Sequence, residues 1–381
     1  DGYWSRGLGD VYKRQCIDRA INEPVDLVLF GGDAFPDATP PPYIQEAFAA
    51  QFRRLADADI PTILLVGNHD QHSQGNGGAS LCIYRTLAVP GFIVGDNLIT
   101  HKIATKNGDI QVITLPWLTR SSLLTKSKTE GLSLDEINQL LIKALEPVLE
   151  EEIRKLDPDI PTILLGHLMV SRARFGAEQF LAVGRGFTIP ISLLIRSEFD
   201  YVALGHVHKH QNLNPNNDPP VIYPGSIERV DFSEEKEEKG YVLLTLKKGE
   251  VDWNFSPLPA RPFLTIKADI SQAEDPQSAL VKAIEKKTIE EAVIRVNYQI
   301  RSEQLELINN AVIHEALKAA HNYTIRPEII SQLSRPRLPE LGIGKSLDPI
   351  EALKTYLDNR EDIKDIAEDM LEAAELLLNE S

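Results

Sequence analysis

The stretch Ile60-Pro-Thr-Ile-Leu-Leu-Val-Gly-Asn-His-Asp70 decides how the rest of the chain is read. Its apolar, β-branched run has the composition of a buried strand, and it stops at Gly-Asn-His-Asp. Glycine lets the backbone turn sharply, and the next three residues supply an amide oxygen, an imidazole and a carboxylate. Such a set at the exit of a core strand points to something polar bound there. The pattern recurs along the chain. Val25–Phe30 runs into Gly31-Gly32-Asp33, Ile160–Leu165 into Gly166-His167, and Phe199–Leu204 into Gly205-His206-Val207-His208. In α/β sheets ligands bind beyond the carboxyl ends of the strands, so the tips are expected to converge on one site.

The 381 residues suffice for two or three domains. An apolar fraction of 43% and a charged fraction of 25% are those of an ordinary globular protein. No run approaches the ~18 apolar residues of a membrane span, and no signal-peptide pattern occurs. Cys16 and Cys82 are too few for a disulfide framework, which suits a cytoplasmic location. The net charge of −16 argues against a protein that coats nucleic acid. Half of it lies in residues 340–381, however, with 12 acids and 4 bases, so a nucleic-acid substrate stays open.

The chain divides by composition into four parts. Residues 1–15 carry neither helical nor strand periodicity and are expected to be a leader foreign to the fold. Residues 16–256 hold the strand-exit motifs. Ser133 and Glu136 form a capping box for a helix to about Leu156. The charged run Glu234-Glu-Lys-Glu-Glu-Lys239 is expected as a solvated hairpin tip. After the linker Pro257–Pro262, residues 263–333 predict a small α+β domain: strand, helix, strand, one helix over Glu303–Ala320, and an extended piece at Tyr323–Ile330. A second proline-rich joint leads to residues 340–381. There Leu353, Leu357, Ile366, Met370 and neighbours form apolar stripes on acidic helices, the pattern of a helix that packs on something.

Asp33, Asn68, His167, His206 and His208 supply a carboxylate, a carboxamide and three imidazoles. Mixed O/N donors suit Mn²⁺, Fe²⁺ or Zn²⁺. A carboxylate flanked by imidazoles fits a pair of divalent ions ~3.5–4 Å apart, which polarises a phosphoryl oxygen and activates water. His69 directly follows a ligand and is expected to serve as general acid or as an electrostatic partner of the phosphate rather than as a further ligand. Asp70 is expected to orient a neighbour. His72 and His210 are read as rim residues, and Trp117 as core or cleft lining.

These motifs, Gly-Asp, Gly-Asn-His-Asp, Gly-His and Gly-His-Val-His, resemble those of the calcineurin-like metallophosphoesterase superfamily. The stretch Tyr223–Phe232, the appended domain and the acidic tail narrow the resemblance to the SbcD-type nuclease subunits of DNA-repair exonucleases, from Cys16 onward. The resemblance implies an α/β (α+β) fold: a two-layer β-sandwich flanked by helices, with a small capping domain and a C-terminal helical tail. It implies a Mn²⁺-dependent nuclease acting at double-strand ends and hairpins, and a homodimer. It also implies a tail that docks on an SbcC-type ATPase. By motif, Asp33 would bridge two ions, Asn68, His167 and His206 would complete one position, and His208 would serve the other. His69 would be the catalytic histidine.

Two departures from that pattern stand out. The family's Asp-x-His motif on a first strand does not occur ahead of Cys16, and Pro36 stands where many relatives carry a polar residue. The first leaves one metal position short of ligands, so about one tightly held ion per chain and weak activity are expected. A phosphodiesterase for a small substrate would share these metal motifs. A non-catalytic scaffold that recruits an ATPase to DNA is the reading outside enzymology.

Overall fold

The computed structural model describes residues 9–71, 78–119, 131–176, 188–330, 350, 353–354, 357 and 366–379. In chain order the helices are α1 (Gly9–Asn22), α2 (Pro42–Asp57), α3 (Cys82–Thr86), α4 (Leu134–Ile153), α5 (Pro276–Glu285), α6 (Asn310–Ala316) and α7 (Ala367–Asn379). The strands of the first half are β1 (Val28–Phe30), β2 (Thr62–Leu65), β3 (Phe92–Gly95), β4 (Ile99–Thr105), β5 (Gly108–Leu115), β6 (Thr162–His167), β7 (Met169–Val170) and β8 (Thr188–Ile189). Those of the second half are β9 (Tyr201–Gly205), β10 (Gln211–Asn212), β11 (Val221–Tyr223), β12 (Gly240–Lys247), β13 (Glu250–Pro257), β14 (Phe263–Asp269), β15 (Val293–Arg301) and β16 (Asn322–Ile330).

Strand alternation explains why the apolar runs are continuous rather than alternating. In β2, Ile63 and Leu65 point to one core and Leu64 to another, and all three are fully buried. In β6, Ile163 and Leu165 share the core of Ile63, whereas Leu164 faces the other way. Strands buried on both faces read as near-continuous hydrophobic runs. The shared core lies between a parallel sheet β1-β2-β3 and a mixed six-stranded sheet β10-β11-β9-β6-β5-β4, and the hairpin β12–β13 adds Val242, Leu244 and Trp253 to it. Outside the first sheet, α1 and α2 pack Ile17, Phe48, Phe52 and Leu55. Outside the second, α4 packs Leu141, Leu145 and Leu149. The result is the expected two-sheet sandwich with helices on its outer faces, in a mixed α/β chain.

Helix α4 begins where the capping box placed it. Ser133 Oγ accepts the Glu136 N–H at 3.3 Å, and the Glu136 carboxylate accepts the Ser133 N–H at 2.8 Å. The small C-terminal domain is a parallel sheet β14-β15-β16 with α5 and α6 supplying Leu280, Ile284, Ile313 and Leu317 to its core.

Three expectations change. Residues 9–15 are helical, continuous with α1, and the Lys13 ammonium donates to the Ala34 carbonyl and lies 5.4 Å from the centre of the Phe48 ring. The helix predicted over Glu303–Ala320 is broken into a 3₁₀ turn at Ser302–Leu307 and α6. Ile308 is extended there and the Asn309 side chain caps Ala311 N–H, so a side-chain acceptor replaces a helical turn. In the tail, Leu357 is 2% exposed and therefore packs within the chain, whereas Ile366 and Met370 stand out at 49% and 38%. The glycine-rich loop with His72, and most of residues 340–365, lie outside the described residues.

Among the described residues no helix is long and apolar enough to cross a membrane. Leu141 is fully buried between α4 and the six-stranded sheet. Leu141→Ala is expected to cost about 2–5 kcal/mol of stability in urea unfolding, with the divalent-ion affinity of the folded chain unchanged.

Candidate metal centre

Four strand ends meet at one place. Asp33 follows β1, Asn68 follows β2, His167 ends β6 and His206 follows β9. The first two leave the three-stranded sheet and the last two the six-stranded sheet, so the cluster lies across the seam of the sandwich. Backbones can approach that closely because glycine precedes the ligands. A Cβ on Gly205 would stand 1.9 Å from the Gly31 carbonyl oxygen, and one on Gly67 would stand 2.2 Å from Asp33 Oδ1.

Ligand atoms of Asp33, His167 and His206 lie within 4.8 Å of one another. Asn68 Oδ1 sits between the two rings, 3.0 Å from His167 Nε2 and 2.8 Å from His206 Nδ1. Asp33 Oδ2 is 3.2 Å from His167 Nε2. The His167 ring is aimed by its other nitrogen, whose N–H donates to the Gly31 carbonyl at 2.6 Å. That contact leaves Nε2 to face the cluster. Trp117 is 6% exposed, its ring centre 4.8 Å from that of His206, so it walls the site while belonging to the core.

The backbone is strained at two of these residues, with φ of 56° at Asp33 and 95° at His206. For side-chain-bearing residues such angles cost of order 1–3 kcal/mol and persist only where the surroundings enforce them. Asp70 is the enforcing group at Asp33. Its fully buried carboxylate accepts the N–H of Asp33 at 2.9 Å, of Ala34 at 3.0 Å and of Gly67 at 2.9 Å. It thereby pins the two loops of the first sheet to each other.

The electrostatics suit a cation. Burial works against the Asp33 charge, yet the His167 and His69 contacts outweigh it and hold the carboxyl well below the usual range. Burial likewise opposes a proton on His167, but the Asp33 charge raises its pKa. Burial, with Asp33 nearby, pushes Asp70 up to about 6. Burial pushes His206 down to about 3, and its Nε2 is enclosed without a hydrogen-bond partner. A neutral His206 whose Nδ1 faces the Asn68 oxygen, grouped with the Asp33 carboxylate and the His167 ring, makes a donor set that fits a divalent ion of the Mn²⁺, Fe²⁺ or Zn²⁺ kind.

The other expected site residues take separate positions. His208 is outside the 4.8 Å group; its Nδ1 lies 2.8 Å from Glu234 Oε1. The His69 N–H donates to Asp33 Oδ1 at 2.9 Å, while its ring Nδ1 meets the Pro36 carbonyl at 2.9 Å. The backbone at position 36 thus sets the ring, whatever the side chain. His210 bonds the Tyr223 carbonyl and stacks on Phe255 at 4.1 Å, away from the ligands.

Sequence reasoning missed Glu234 and Lys239. The run expected as a solvated tip is buried at both ends, with Glu234 2% and Lys239 1% exposed. Only the intervening Lys236 and Glu238 fully face solvent. Glu234 is enclosed because three donors reach its carboxylate: His208 Nδ1, Lys239 Nζ and the Val230 N–H. Composition alone could not reveal this, since a charged run looks the same whether or not distant partners meet it.

Residues 9–210, more than half of the chain's 381, match the model of the calcineurin-like phosphoesterase family. The chain belongs to that family. Its members are metal-dependent phosphoesterases, and the cluster just described lies within the matched residues. Among solved structures, the chain is similar to the glutamine-dependent NAD+ synthetase from Acinetobacter baumannii in complex with adenosine diphosphate. The match has 11% identity over 84% of this chain and 62% of that one, with a TM-score of 0.25. A likeness at that level carries nothing about fold or activity.

His206 gives a test in the metal-free chain. Its folded pKa of about 3 lies below the unfolded value of about 6.5, so acidification protonates the unfolded state first. The stability that its neutral ring confers is complete above pH 6.5 and drains away as pH falls toward 3. In urea unfolding with chelator present, the stability difference between the native chain and His206→Asn is expected to shrink by up to about 1.4 kcal/mol per pH unit between pH 6.5 and 4.

Proposed function

We propose that this chain is the nuclease subunit of an SbcD-type DNA-repair exonuclease, hydrolysing phosphodiester bonds at double-strand ends and hairpins. The observation that carries the hydrolytic part is the convergence of Asp33, Asn68, His167 and His206 at the sandwich seam. The nucleic-acid part is supported by the Tyr223–Phe232 stretch and by the small α+β domain next to it. Asp33, Asn68, His167 and His206 would hold one divalent ion, with manganese the expected element, and Asp33 with His208 would contribute to a second. Bound there, such ions supply Lewis-acid polarisation of the phosphoryl oxygens and activation of water.

The chain's own residues have distinct tasks. Asn68 and the two imidazoles orient the acceptors around Asp33. Asp70 fixes the backbone turn that presents Asp33. His69, its ring set by the Pro36 carbonyl, stands next to the cluster without belonging to it and serves as the general acid for the leaving oxygen. Such a group contributes typically about 10²–10⁴-fold.

With Mn²⁺ and an SbcC-type ATPase present, end-labelled duplex DNA is expected to be shortened. His69→Ala is expected to slow this by about 10²-fold or more while leaving ion binding intact. Hydrolysis of bis(p-nitrophenyl) phosphate with no attack on duplex DNA under the same conditions would remove the nuclease reading and favour a phosphodiesterase of small esters.

The tail is assigned to partner docking through the acidic helix α7, on which Met370 is exposed, and Ile366 just before it. Replacing both by Asp is expected to weaken ATPase capture in a pull-down by about 10-fold or more, without lowering the melting temperature. Unchanged capture would end the docking role of this helix.

A further inference from the structure

The segment between β11 and β12 is built around two buried ionic groups. Glu234 Oε1 faces His208 Nδ1 at 2.8 Å, and Glu234 Oε2 meets Lys239 Nζ at 2.8 Å and the Val230 N–H at 3.1 Å. Lys239 Nζ also donates to the His208 carbonyl and to Glu237, each at 2.9 Å. A carboxylate can only accept, so in the neutral ring His208 carries its proton on Nδ1 and keeps the lone pair on Nε2. Carboxylate–imidazole pairs of this kind fix the tautomer and orientation of metal-ligating histidines.

The same few residues carry the docking of the C-terminal domain. The Phe232 ring packs edge-on against Phe263 at 5.0 Å, and the Arg295 guanidinium lies 4.3 Å from the Phe232 ring centre. Glu235 Oε1 accepts the Thr265 N–H at 3.1 Å, on the edge of β14 that no strand covers among the described residues. Arg229 donates to the carbonyls of Glu234 and Glu237 on one side and of Ala260 and Arg261 in the linker on the other. Glu234 therefore cannot move without Phe232 and Glu235 moving, and those two are held by β14 and β15.

We propose that Glu234 is the positioning residue of His208 and that the small C-terminal domain holds it in place through Phe232 and Glu235. This rests on the reading of His208 as a metal ligand. The domain thus acts on the centre through one backbone segment, by setting which nitrogen of His208 presents a lone pair.

The chemistry of the conservative replacement is informative. In Glu234→Gln the amide oxygen satisfies Lys239 and Val230, which turns the NH₂ group toward His208. Nδ1 must then accept, and the proton moves to Nε2.

The test uses the full chain, stripped of metal and labelled with ¹⁵N-histidine, at neutral pH. Long-range ¹H–¹⁵N correlation spectra report the tautomer, with His208→Ala assigning the resonance, and Zn²⁺ serves as the diamagnetic probe ion. The unaltered chain is expected to show the Nδ1–H form of His208, with Nε2 shifting on Zn²⁺ addition. Glu234→Gln is expected to show the Nε2–H form and an affinity at that ring lower by about 10-fold or more. Phe232→Ala, outside the cluster, is expected to give a mixture of the two forms and a smaller loss.

If Glu234→Gln leaves tautomer and affinity unchanged, the positioning role is wrong. If Glu234→Gln acts but Phe232→Ala does nothing, the control by the small domain is wrong. If Zn²⁺ leaves His208 of the unaltered chain undisturbed, it is the metal-ligand reading that fails instead.

Discussion

The closeness with which the two sheets meet at their carboxyl ends sets everything else in the site. Gly31 lies against Gly205 across the seam, with Gly67 against Asp33 within the first sheet, at separations that leave no room for a Cβ. Across that contact the His167 ring donates to the Gly31 carbonyl, and the Trp117 N–H donates to the Val66 carbonyl at 3.0 Å. A sandwich usually keeps its sheets about 10 Å apart, filled by side chains. Here the filling ends one residue short of the ligands, and the backbones close the gap. Short polar side chains from opposite sheets therefore reach one another without long, flexible arms.

That geometry explains what was legible in the sequence. Each ligand sits one or two residues beyond an apolar run and a glycine, so strand, turn and donor are written consecutively. Asp33, Asn68, His167 and His206 could be read because their placement is a local matter repeated four times. The sheets they come from could not be read so directly. Nothing near Asp33 says that its strand belongs to a different sheet from that of His167, since every one of these strands packs apolar side chains on both faces.

Where the reading failed, a distant partner decides the structure. Glu234 and Lys239 lie in a run whose composition is that of a solvated loop, yet they are buried because His208, Val230 and each other complete their bonds. Removing one member of such a buried pair leaves an uncompensated charge, so the group is all or nothing. The break after Leu307 is similar in kind: periodicity continues through the sequence, but Asn309 offers the backbone a side-chain acceptor instead. Leu357, one of the stripe residues expected to pack on something, is buried.

The charge balance inside the cluster is the last link between fold and chemistry. Asp33 and the imidazole of His167 form a buried pair in which the carboxylate charge favours a proton on the ring. His206 stays neutral beside it, because a second positive charge in the same enclosure would face both burial and repulsion from His167. A divalent ion held at His167 would have to take the place of that proton, since an imidazole binds a metal only when the nitrogen is free of hydrogen. A proton and a bound ion would therefore exclude each other at that nitrogen. Asp70 fixes where that carboxylate stands. Its hold on three backbone amides keeps Asp33 in its strained turn.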